Sequence, residues 1–171
     1  MEFSNPELNM VNLPKAEDAS LIPVDEQYYT VILYNKILIW FILFIILLVV
    51  MILIDDFHSF TAAGISIAIF SLLGFLSFRL SYLSFKNTAF AVREHDILFQ
   101  TGWLIKSLHV CPFNRIQHCS VDAGVFERNL GIAKLKIYSA GGSDTDIVIP
   151  GLQLQEAQAL RELIISKGHA E

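Results

Sequence analysis

The chain has 171 residues, 54% of them hydrophobic and only 17% charged, with a net charge of -5 and two cysteines. That balance is too apolar for an ordinary soluble domain, and too acidic for a surface built to hold nucleic acid. A disulfide framework is likewise excluded, because two cysteines in a domain expected to face the cytoplasm stay reduced.

In chain order, the first part is an acidic leader, residues 1–23, in which Pro6, Pro14 and Pro23 and scattered acids predict extended chain. Leu13, Leu21 and Ile22 are its candidates for docking on another surface. Pro23, followed by Asp25 and Glu26, suits the first turn of a helix, so a helix is expected to begin there. A secretory signal is not expected, since the leader is acidic and the apolar run behind it is long.

Residues 24–85 read as a transmembrane hairpin with spans at about 37–54 and 60–80. The first, ILIWFILFIILLVVMILI, has neither charge nor glycine. At about 1.5 Å per residue it covers nearly the whole ~30 Å hydrocarbon core. Asp55 and Asp56 stop it. The second run stays uncharged until Arg79 and carries Gly64 and Gly74, which membrane helices accept. Lys15 and Lys36 precede the first span, none of the bases lies between the spans, and Arg79, Lys86 and Arg93 follow the second. Both termini are therefore expected on the cytoplasmic side of the membrane. Tyr28, Tyr29, Tyr34 and Trp40 are the expected interface anchors. Gly64 and Ala68 form a small-xxx-small pair, suited either to the first helix of the same hairpin, the preferred reading, or to another membrane protein.

Residues 86–171 change to short β-rich segments. Ala89–Arg93 and Ile97–Thr101 flank a tight Glu94-His95-Asp96 connection, and Gly102 introduces a bend through Trp103-Leu104-Ile105. Strands at Leu108–Cys111, Gln117–Val121 and Ile132–Ser139 follow; in the last, Ile132, Lys134 and Lys136 alternate with Ala133, Leu135 and Ile137. Gly141-Gly142 predicts a turn and Ile147–Ile149 a strand. After Pro150-Gly151 the apolar spacing of Leu154, Ala157, Leu160 and Ile164 becomes helical, ending near Gly168. The expected domain is an all-β sandwich or open barrel closed by one helix.

The residues Arg115-Ile116-Gln117, Val121, Phe126–Ala133 with Arg128 and Gly131, Leu135–Gly141, and Gly151-Leu152 with Glu156-Ala157 resemble the bacterial pleckstrin-homology domains of YdbS-like membrane proteins. His118-Cys119 and Val125-Phe126 depart from that pattern. The resemblance implies two crossed antiparallel sheets capped by a C-terminal helix and carried on a membrane hairpin, with no known catalytic residues. It also implies a heteromeric complex with a larger membrane protein containing several copies of the same domain.

The residues taken alone offer no constellation expected of an active site. His109, Cys111, His118 and Cys119 are near enough to raise the question of zinc, but His118 and Cys119 are consecutive on a strand and point to opposite faces. Ser139–Ser143 lacks the lysine and helix of a phosphate loop, and Asp144 and Asp146 lack enough further oxygen ligands for a cation. Neither a cofactor nor a metal is expected. Arg115 and Gln117 are read first as props for the Pro112-Phe113-Asn114 turn and second as ligand contacts. Lys106, Arg115, Lys134 and Lys136 are the candidates for lipid headgroup contact, against a near-neutral balance of nine acids and seven bases from Glu94 to Glu171. The expected function is non-enzymatic: an inner-membrane subunit that assembles with another membrane protein or a second copy of itself. The alternative is a sensor of lipid or lipid-like molecules, giving resistance to membrane-active agents and depending on Lys134 and Lys136.

Overall fold

A computed structural model describes residues 20–54, 60–139 and 147–168. The leader before residue 20, the Asp55-Asp56 connection and the Gly141-Gly142 turn with Asp144 and Asp146 lie outside the described residues.

Two helices, α1 (Gln27–Leu53) and α2 (Phe60–Lys86), form the hairpin, and both are long and apolar enough to cross a membrane. They hold together through one face of α2. Phe70 meets the Trp40 indole edge-on at 4.9 Å, and Gly74 lies beneath the same indole. Nearer the domain the Lys36 ammonium donates to Ser77 Oγ at 2.7 Å, and Tyr29 stacks edge-on with Tyr82 at 5.4 Å. The bulky α1 therefore seats its largest side chain over a glycine of α2, as close helix approach in lipid requires.

Four strands, β1 (Ile22–Pro23), β2 (Ala89–Val92), β3 (Asp96–Thr101) and β4 (Ser107–Pro112), make one antiparallel sheet in sequential order. A 3-10 turn at Phe113–Arg115 leads to the second sheet, β5 (Ile116–Asp122), β6 (Ile132–Ser139) and β7 (Ile147–Gln153), also antiparallel. A short helix, α3 (Val125–Asn129), joins β5 to β6, and α4 (Leu154–Gly168) follows β7. The core between the sheets and α4 contains Ile97, Phe113, Leu135, Ile137, Ile149, Leu152, Ala157 and Ile164, all buried. Ala133, Leu135 and Ile137 are the inward set of β6, as its alternation requires.

Two boundaries differ from the sequence reading. Pro23 belongs to β1, paired with Ala89, and the helix starts only at Gln27, whose N–H is held by the Asp25 carboxylate at 2.8 Å. A proline lacks an N–H, which an edge position does not need, so Pro23 fits the strand as well as a helix start. Pro150 and Gly151 lie inside β7, because Gly151 takes φ +64°, a conformation that bends the strand toward the start of α1. The Gly151 carbonyl accepts the Asp25 N–H at 2.9 Å.

The hairpin is joined to the domain without a linker of its own. The Asn87 side chain donates to the Leu83 carbonyl and the Thr88 hydroxyl to that of Ser84, satisfying end carbonyls of α2, and β2 begins at Ala89. Val24 lies in the domain core, and Tyr28 and Phe85 pack against it.

Candidate functional site

The junction between hairpin and domain encloses an open cavity of about 490 Å³. Val31, Ile32 and Asn35 come from α1, Ser84 and Phe85 from the end of α2, Phe99 and Thr101 from β3, Glu127 from α3 and Lys134 from β6. Its walls are apolar on the side of Phe85 and Phe99 and polar around Glu127 and Lys134. Such mixed lining suits an amphipathic occupant more than a metal or a nucleotide.

Glu127 is the central polar residue. It is buried, its Oε2 accepts the Gly124 N–H at 2.5 Å, and Lys134 Nζ stands 3.6 Å from the same oxygen. A buried carboxylate needs such partners. The next lysine on that face, Lys136, pairs with Asp122 at 2.6 Å, and this hydrogen bond and its charge hold the ammonium above the usual lysine range. Lys134 and Lys136 thus lie on one side of β6, but each is committed to an acid. These two candidates for headgroup contact therefore face Glu127 of α3 and Asp122 of β5, in keeping with the near-neutral charge balance of the domain.

Arg115 and Gln117 are both exposed, and among the described residues neither side chain props the Pro112-Phe113-Asn114 turn. That turn closes instead through its own 3-10 backbone and the Phe113 N–H donating to the His95 carbonyl at 3.0 Å, with Phe113 buried in the core. Arg128 is exposed on α3. Gly131 takes φ +71°, where α3 turns into β6, and its carbonyl accepts the Leu154 N–H at the start of α4.

The His109, Cys111, His118 and Cys119 quartet is not assembled. His109 and Cys111 are on β4 and His118 and Cys119 on β5, in different sheets; Cys111 is buried, while His118 stacks on Tyr138 at 4.1 Å. Among the described residues no three His, Cys, Asp or Glu are grouped to hold a metal. Burial pushes the Cys119 thiol above its ordinary value, against a smaller opposing pull from Arg161.

Gly64 and Ala68 are both exposed on α2, and a Cβ on Gly64 would touch nothing within 4 Å. The preferred expectation, that they receive α1, is therefore corrected: the receiving face contains Phe70 and Gly74, against which the Trp40 indole is seated. The junction cavity was missed by sequence reasoning. Its only signal was the alternation of β6, which placed Lys134 on a face without showing what stands opposite.

Two sheets bent around a core, a capping C-terminal helix and an apolar helical pair at the front define a membrane protein with a pleckstrin-homology-like domain. The chain belongs to the bacterial PH domain family, which matches residues 37–168 and so includes most of the hairpin. Among curated proteins it is similar to the UPF0699 transmembrane protein YdbS of Bacillus subtilis (strain 168), with 32% identity over 75 residues. That stretch is 44% of this chain and 45% of the relative, so the match spans under half the relative's length. No solved structure matches the chain.

Proposed function

We propose that this chain is a non-enzymatic subunit of a membrane complex, anchored in the bacterial inner membrane with both termini in the cytoplasm. Its partner is a second membrane protein carrying repeats of the same domain. The observation that carries this reading is the outward face of α2: Gly64 and Ala68 are exposed rather than spent on α1, leaving a small-residue surface on which another helix can approach closely. The β4 edge, with Val110 exposed, offers a further place for a neighbouring domain to pair.

A second reading, a sensor of lipid-like molecules, is favoured by the junction cavity, whose lining is polar at Lys134 and Glu127 and apolar at Phe85 and Phe99. One experiment separates the two. The tagged protein is purified from its native membrane in mild detergent and weighed intact by native mass spectrometry. A stoichiometric complex with a second membrane protein supports the subunit reading. Recovery of the chain alone, or only with bound lipid, overturns it in favour of the sensor.

A further inference from the structure

The turn between β3 and β4 is tightly built. The strands stay paired as far as Thr101 and Ser107, so only Gly102 to Lys106 make the connection. Gly102 takes φ +98°, and a Cβ there would fall 2.0 Å from the Ile105 carbonyl oxygen. The turn closes on its own backbone and sends its side chains outward: Trp103 is 41% exposed, Leu104 75% and Ile105 77%. Three consecutive large apolar residues at a turn tip are costly in water, and such a patch marks a surface that meets another medium.

The position of the turn says which medium. Thr101, immediately before it, lines the junction cavity together with Val31, Ile32 and Asn35 of α1. Two residues beyond Asn35 the uncharged run of α1 begins at Ile37. The turn therefore stands at the level where α1 leaves water. α3, whose Glu127 lines the same cavity, sets Phe126 against Tyr34, with ring centres 5.6 Å apart, and beside Ile37, Leu38 and Phe41, while Val125 next to it is 65% exposed. Lys106 ends the apolar tip with a cation, the arrangement of an element whose stem is in the headgroup region.

We propose that Trp103, Leu104 and Ile105 insert into the leaflet through which α1 enters, so that the β3–β4 turn is a third membrane contact beside the two spans. The occupant of this apolar tip is lipid, because the strand that carries the tip ends at the cavity beside which α1 enters its uncharged run. The contact fixes the tilt of the domain on the bilayer and sets the mouth of the junction cavity at headgroup depth. It is independent of any protein partner.

Trp103 is its own reporter. In the Trp40→Phe chain it is the sole tryptophan, and the full-length variant is reconstituted in phosphatidylethanolamine and phosphatidylglycerol vesicles with or without lipid brominated on the upper acyl chain. Insertion predicts a blue-shifted emission, weak quenching by acrylamide, and about twofold or greater quenching by the brominated lipid, as for an indole at the interface. Emission like that of free tryptophan with strong acrylamide quenching overturns the proposal. Shielding from acrylamide without quenching by brominated lipid also overturns it, because a protein surface then covers the tip. The difference between the wild-type chain and Trp103→Phe reads the same quantity with Trp40 intact, should the first substitution disturb the hairpin.

Discussion

Gly151 shows how one residue joins the two halves of the molecule. A Cβ at this position would stand 2.6 Å from Tyr28 Cβ and 3.3 Å from Val24 Cβ, and its φ of +64° is already unfavourable for any side chain. Gly151→Ala is expected to destabilise the protein by about 2–3 kcal/mol, seen as a lower Tm in detergent, because β7 must retreat from the start of α1. Cys119 tests burial by a different property. Its thiol is held above the ordinary value chiefly by burial, so alkylation followed peptide by peptide should be slow at pH 8 and speed up only at higher pH. Arg161→Gln removes the opposing cation and should move that rise further upward. The folded thiol gives up its proton at higher pH than the unfolded one. This contribution to stability is therefore full below the ordinary thiol value and is lost as pH rises through the folded value.

At the scale of elements, α3 depends on Glu127 in two ways: its carboxylate caps the helix start through the Gly124 N–H, and it balances Lys134. Glu127→Gln keeps an oxygen for the cap and loses the ion pair, whereas Glu127→Ala loses both. With Lys134 partly solvated, the expected losses are about 1 and about 2–3 kcal/mol respectively, measured as the order of Tm values for the two variants. The strands and α4 were legible because their apolar residues recur with the period of the element that buries them, as Ala133, Leu135 and Ile137 do in β6. The short α3 was not, since five residues hold too little of a helical period to register, and β1 was not, since its two residues become a strand only by pairing with Ala89 and Phe90. The junction cavity was illegible for a related reason. It gathers residues from α1 to β7 that are far apart in sequence, and no local spacing marks them.

For the whole molecule, the small residues of α2 distinguish folding from assembly. Gly74 lies 3.7 Å, measured from an added Cβ, from the Trp40 ring, so Gly74→Leu drives its side chain into the contact that holds α1 to α2 and should spoil the hairpin itself. Gly64 has open space around its Cβ position and Ala68 is exposed, so Gly64→Leu with Ala68→Leu should leave the helical content and Tm of the isolated chain nearly unchanged. If α2 makes the intermolecular contact, the same double variant blocks close approach of a partner helix. It should then raise the dissociation constant of the complex about tenfold or more, read by native mass spectrometry across a detergent dilution series. An intact complex from the double variant would move assembly away from α2 and onto the domain, where the β4 edge is the next surface to test. Loss of the complex together with loss of helical content would instead place Gly64 and Ala68 in the fold, against the open space around them.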